Sequence, residues 1–186
     1  MRELDALREA VTARLSPKRA LHVLCVEREA DALAWRWHAD RDAARRAALL
    51  HDLTKELSEP AQLKLCEKYD IVVMPWERGK PLHALTGAAV ARHEFHATEE
   101  EASAVRWHTT GRDGMSLLEK VIFLADYVDG TRRFGGVDKL RRLCYEDLNA
   151  AMALGLDHTI RHLLDKGRPI FPITLDAWNF LLTTEK

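Results

Sequence analysis

The chain has 186 residues, 28 Lys and Arg against 29 Asp and Glu, a net charge of −1 and 47% hydrophobic residues. That size suits one domain with a sizeable core, and the composition excludes a disordered tail or a fibrous repeat. The near-zero charge gives no global reason to bind DNA, RNA or an acidic membrane, so an anionic ligand would have to be captured locally.

Taken in chain order, the pattern reads as helix after helix. A short first helix is expected over residues 2–14. Its charges leave no unbroken apolar stretch, so this segment does not read as a signal peptide. Ser16-Pro17 pairs an N-cap with proline at the first helical position and opens a helix to about His38. Asp40 or Asp42 caps a helix expected to run through AARRAALLHDLTKEL, residues 43–57. Ser58-Glu59-Pro60 repeats the start signal for a helix to about Tyr69, and IVVMPWERGKP reads as a loop. A helix is expected from Pro81 to Phe95. Thr98 with Glu101, and Ser116 with Glu119, match capping boxes. They open one helix toward His108 and another through LLEKVIFLADYV, with the turn TTGRDG between them. GTRRFGG is a glycine-bounded loop, and helices are expected over 137–145, 147–166 and 176–182. Strand alternation is missing, and so is an apolar run of about 18 residues. The expected class is therefore all-α, a single domain over 1–186 with its core at about 17–167 and the segment 168–186 packed on it.

Cys25, Cys66 and Cys144 form no CxxC pair and read as buried free thiols. Free thiols fit a reducing cytoplasm. The chain carries nine histidines against three cysteines. A bound metal would therefore take imidazole and carboxylate ligands, which favour iron, manganese or zinc over sulfur clusters.

The phosphate-binding motifs GxxxxGK[ST] and GxGxxG are missing, as is a GxSxG elbow. Chemistry then rests on histidine and aspartate. His51-Asp52 follows the apolar run AALL, and aspartate is almost never fully buried unless paired. His22 sits in LHVLCV, and His83 in PLHALTGAAV, where small residues allow another group to come close. His108 precedes TTGR, and Asp126 ends the apolar run VIFLADYV, where a carboxylate needs a cation or several donors. A lone histidine in such a setting is more often a satisfied core residue. Together the six fall in apolar helical context. His22, His51, Asp52 and Asp126 could hold one metal, and His83 and His108 a second with Asp52 shared. A bridging carboxylate keeps two metals about 3.5–4 Å apart with a water or hydroxide between them, and the positive excess suits a polyphosphate. His93, His96, His158 and His162 lie in polar stretches and read as surface residues. Trp76 and Trp107 are candidates to stack on a base.

The series His22, His51-Asp52, Asp126 resembles the HD-domain phosphohydrolase superfamily. The surrounding stretches ALLHDLTKEL (48–57), LHALTGAAVAR (82–92), WHTTGRDGMSLLEKVIFLADYVD (107–129) and LGLDHTIRHLLDKGRPIFPITLDAWNFLL (154–182) resemble the YqeK family, which contains bacterial symmetrical bis(5′-nucleosyl)-tetraphosphatases. The resemblance implies an all-helical HD bundle with a two-metal centre. The expected metal is iron, with manganese, cobalt or zinc as alternatives. It implies an enzyme acting on acid anhydrides, which splits diadenosine tetraphosphate into two nucleoside diphosphates by a metal-bridged hydroxide. The implied metal ligands are His22, His51, Asp52, His83, His108 and Asp126, with Asp52 and Lys55 catalytic. Lys55, His83, Thr109, Arg112 and Arg132 are the implied substrate contacts. Gly130 stands where the family usually has proline, which leaves Arg132 and Arg133 both open for the last contact. The implied partner is a small dinucleoside polyphosphate, with no nucleic acid or membrane and with room for a homodimer. Other HD phosphohydrolases, acting on mono-, tri- or cyclic nucleotides, share the same kind of ligand set. A nucleotide-sensing module without turnover is the remaining alternative.

Overall fold

A computed structural model describes residues 2–184; Met1 and the last two residues of the expected C-terminal segment lie outside the described residues. Among these, the secondary structure is helical, with no strand. The helices are α1 (Arg2–Thr12), α2 (Pro17–Trp37), α3 (Arg41–Leu50), α4 (Glu59–Lys68), α5 (Leu82–Phe95), α6 (Glu99–Trp107), α7 (Leu117–Val128), α8 (Val137–Glu146), α9 (Leu148–Asp165) and α10 (Pro172–Thr184). Among the described residues, no helix is long and apolar enough to cross a membrane.

The start signals act as expected. Ser16 accepts from the Arg19 N–H at the head of α2, and Asp40, not Asp42, caps α3. Both capping boxes form, at Thr98/Glu101 and Ser116/Glu119. Two boundaries differ from the sequence reading. α10 begins at Pro172, four residues before Asp176, because proline again occupies the first turn. More consequentially, α3 stops at Leu50. Residues 51–57 continue as tight turns, with N–H bonds from Leu53 to Leu50 O (3.4 Å), Lys55 to Asp52 O (3.1 Å) and Leu57 to Thr54 O (3.1 Å). Side chains compete for the backbone there. The His51 ring takes the Ala48 carbonyl, and the Thr54 hydroxyl donates across to the His83 carbonyl at 2.8 Å.

α2 packs along both α3 and α7, and the buried apolar residues fall into two clusters. One cluster joins Val26, Leu33, Ile122, Phe123, Leu124, Met152 and Leu156 and reaches Ala177 of α10. The other joins Leu7, Val11, Val23, Leu49, Leu50, Val90 and Val105. α10 is tied to the TTGR turn by the Thr174 hydroxyl, which donates to Thr110 O at 2.8 Å. Gly111 holds that turn at φ +65°, a left-handed conformation that suits glycine. α5 packs against the end of α3, where a Cβ added at Gly87 would lie 3.5 Å from His51 O and 3.6 Å from Thr54 Oγ1.

Those are ordinary contact distances, so Gly87→Ala is expected to raise stability by about 0.5–1 kcal/mol through helix propensity alone. Gly155→Ala is expected to gain nothing or to lose stability, since its Cβ would meet the buried Phe123 ring at 3.2 Å. Urea unfolding of both variants against wild type checks the ordering.

Candidate metal centre

Five helix ends converge on one point. His22 lies in the second turn of α2, His51 is the C-cap of α3 with Asp52 next to it, His83 sits in the first turn of α5, His108 is the C-cap of α6, and Asp126 lies in the last turn of α7. His22, His51, Asp52, His83 and His108 are all buried, Asp52 to 2% exposure.

The backbone fixes how three of these rings point. His51 Nδ1 donates to Ala48 O, His83 Nδ1 to Lys80 O and His108 Nδ1 to Val105 O, each at 2.6 Å and each three residues back. At His51 and His108 the accepting carbonyls belong to the last turn of a helix, where they lack intrahelical partners. A ring that spends its Nδ1 proton this way presents a bare Nε2 lone pair. The fourth ring, His22, has Nδ1 3.3 Å from the fully buried Asp129 carboxylate.

The inward nitrogens surround the two oxygens of Asp52. Oδ2 lies 3.4 Å from His51 Nε2 and 3.6 Å from His22 Nε2. Oδ1 lies 3.3 Å from His83 Nε2 and 3.8 Å from His108 Nε2. Asp126 Oδ1 joins the first group, 3.1 Å from His22 Nε2 and 3.9 Å from His51 Nε2. The arrangement thus contains a His22/His51/Asp52 group and an Asp52/His83/His108 group that share one carboxylate.

A cation fits these residues on two grounds. His22 Nε2 and His51 Nε2 are buried with no hydrogen-bond partner, an expensive condition for polar atoms. His83 Nε2 and His108 Nε2 face each other at 3.1 Å, although both rings carry their proton on the far nitrogen. Two lone pairs at that distance repel unless positive charge lies beside them. Lys55 Nζ is 3.0 Å from His83 Nε2, and Thr109 Oγ1 is 3.1 Å from His108 Nε2. Four imidazoles and two carboxylates are the donor set of a first-row transition metal.

The electrostatics follow from burial. Burial pushes the Asp52 carboxyl up, but the imidazoles around it, His51 foremost, hold it well below the usual carboxylate range. Burial, with His51 and His83 close by, drives His108 down to about 3. His22 moves the other way: burial opposes its charge, yet Asp126 and Asp129 raise it to about 9.

The centre forms one end of a cleft of about 660 Å³ lined by Arg19, Lys55, Lys80, Thr109 and Arg132, among others. Lys55, His108, Thr109 and Arg132 thus share a cavity with Asp52 and Asp126. Arg132 is already paired: Nη2 contacts Asp126 Oδ1, and Nε donates to Asp126 O at 2.7 Å. Arg133 turns away to Gly130 O and Arg132 O. Arg112 departs from the sequence expectation. Its guanidinium is held by Glu119 at 3.0 Å, and it lies in a separate hollow beside Met115 and Phe180. Its charge therefore secures the TTGR turn to the head of α7 and does not reach the cleft. Trp107 is likewise absent from the cleft and packs under the Arg106 guanidinium at 4.1 Å. His158, expected at the surface, is half-buried and lines the cleft.

Three contributors escaped the sequence reading. Arg19 Nη1 lies 2.6 Å from Asp52 Oδ2, and burial lowers the Lys80 ammonium beside the same cleft. Basic residues near a helix start carry no signal of this role. Asp129 was signalled only by its acidity three residues after Asp126.

Comparison with known proteins agrees with this geometry. The model of the "HD domain" family matches residues 19–131. A Halalkalibacterium halodurans protein named bis(5′-nucleosyl)-tetraphosphatase, symmetrical, is 40% identical, with 96% of each chain covered. A Bacillus subtilis protein of the same name is 35% identical over 93% of this chain and 94% of its own. The crystal structure of a "predicted HD superfamily hydrolase involved in NAD metabolism" from Clostridium acetobutylicum superposes with a TM-score of 0.92 at 35% identity, covering 96% of both chains. The converging helix ends, the His-Asp centre and these matches together show that the chain belongs to the HD-domain family.

Proposed function

We propose that this protein is a metal-dependent hydrolase that cleaves dinucleoside tetraphosphates symmetrically, diadenosine tetraphosphate yielding two ADP. The observation that carries the reading is the division of Asp52, whose two oxygens face two different histidine pairs at the end of a cation-lined cleft. The names of the full-length relatives supply the substrate class. We take His22, His51, Asp52, His83, His108 and Asp126 as the ligands of two metal ions. We take iron as the resident metal, because imidazole and carboxylate suit it. The chain acts as one HD domain over 1–186, since Ala177 of α10 joins the same core as α7. Free thiols at Cys25, Cys66 and Cys144 fit the cytoplasm.

A bound metal pair supplies Lewis acidity toward phosphoryl oxygens and lowers the pKa of a water nucleophile. The chain's own residues do the rest. Lys55, Lys80 and Arg19 bring positive charge to a polyphosphate that the protein's net charge would not attract. Lys55, one turn from Asp52, takes up negative charge as the central anhydride breaks. The Nδ1 protons of His51, His83 and His108 stay on backbone carbonyls, so these rings hold position and do not serve as proton donors. The leaving nucleoside diphosphate departs as an anion balanced by these cations.

Three measurements test the reading. Hydrolysis of diadenosine tetraphosphate in ¹⁸O-labelled water, followed by mass spectrometry, is expected to give only ADP with label on one of each pair. AMP plus ATP would exclude symmetrical cleavage. Elemental analysis of protein purified without chelator is expected to give two metals per chain, and a plateau at one would refute the shared carboxylate. Asp52→Ala should abolish turnover. Lys55→Ala should keep both metals and lose about 10²–10³-fold in kcat, with poor rescue by Lys55→Arg because a planar fork does not replace a compact ammonium.

A further inference from the structure

The cleft is lined by more than the metal-ligand cluster, and part of its lining is aromatic. A volume of about 660 Å³ falls within the range of roughly 300–1,000 Å³ typical of small-molecule sites. Besides Asp52 and Asp126 the lining includes Tyr127, Phe134, His158 and Phe171, with the charged Arg161 and Asp165 on it as well. Three of these rings form a chain: Tyr127 to Phe134 at 5.6 Å, then Phe134 to His158 at 5.9 Å, both edge-to-face. Phe134 nevertheless keeps 37% of its surface exposed, inside a cavity and on a loop rich in glycine.

His158 brings polar atoms to this chain of rings. Its Nδ1 is buried without a hydrogen-bond partner, whereas Nε2 is not buried and takes no partner from the described residues. Gly136 lies beside the ring, where an added Cβ would stand 3.6 Å from His158 Cε1. A buried N–H without an acceptor costs more than a buried lone pair without a donor. This favours the N–H on Nε2 over one on Nδ1, which leaves Nε2 as an open donor beside Phe134.

We propose that Tyr127, Phe134, His158 and Phe171 form the nucleobase subsite, with Phe134 as the stacking surface for a purine and His158 Nε2–H donating to an acceptor on the base edge. This rests on the hydrolase reading for what occupies the rest of the cleft, since a nucleotide whose phosphates reach Lys55 and Lys80 would carry its base toward Phe134. Stacking on an exposed ring gives affinity, and one fixed donor gives preference for a base with a suitably placed acceptor. The sequence offered Trp76 or Trp107 as residues to stack on a base, but neither lines the cleft.

The test is calorimetric titration of the metal-loaded protein with ADP and, separately, with inorganic pyrophosphate, which has no base. Phe134→Ala is expected to weaken ADP roughly 10–100-fold and to leave pyrophosphate within twofold. His158→Phe keeps an aromatic ring and removes the donor, and is expected to weaken ADP about fivefold, again sparing pyrophosphate. Unchanged ADP affinity in both variants, or equal loss of both ligands, would overturn the subsite. The hydrolase reading is judged separately, by wild-type turnover of diadenosine tetraphosphate. Base-dependent ADP binding without turnover would remove that reading and keep the subsite; turnover with ADP affinity indifferent to both variants would do the reverse.

Discussion

The structure depends on the burial of one carboxylate. Asp52 is 2% exposed and has four imidazoles around it. An aspartate is tolerated at such depth only when its charge is matched, because an uncompensated buried ion costs several kcal/mol. The match cannot come from a single helix. It takes the ends of α2, α3, α5, α6 and α7, and each must stop or start at the right residue. α3 ends at Leu50 because His51 and Thr54 draw on backbone and tertiary partners that a continuing helix would deny them. α5 packs there with Gly87 against the His51 carbonyl, and its His83 reaches the same carboxylate.

Orientation is as important as proximity. Three rings use the same device, an Nδ1 proton donated to the carbonyl three residues earlier. The device closes an open helix-end carbonyl at two of these positions and aims Nε2 inward at all three. It also produces the lone-pair confrontation of His83 and His108 at 3.1 Å, which makes sense only with positive charge between or beside them. Arg19, Lys55 and Arg132 stand at the edges of this centre against Asp52, His83 and Asp126, so cationic groups sit beside its carboxylates at the mouth of the cleft.

The cleft extends this division of labour. Its lining holds both ionic and aromatic groups, and the loop between Asp129 and Gly136 contributes one of each, Arg132 and Phe134. Asp129 anchors that loop: its Oδ1 accepts from the Thr131 N–H at 2.8 Å while Oδ2 faces His22. One buried carboxylate thereby links the position of a proposed metal ligand to the position of a proposed base platform.

The sequence by itself determined the helical class, most helix starts and the identity of the residues that the centre gathers. Those signals are local. An N-cap or a capping box is decided within four residues, and a histidine or aspartate inside an apolar run is conspicuous without its neighbours. Tertiary structure alone decided the rest. The end of α3 depended on carbonyls taken by His51 and offered by His83. Arg112 was diverted to Glu119, although its place after TTG suggested a phosphate contact. Arg19, Lys80 and His158 read as ordinary polar helix or loop residues, and they became part of the cleft only when distant segments enclosed them. Capping is a contest among adjacent atoms, whereas the direction of a long charged side chain, and the burial of one ring nitrogen rather than the other, is settled by which helices arrive beside it.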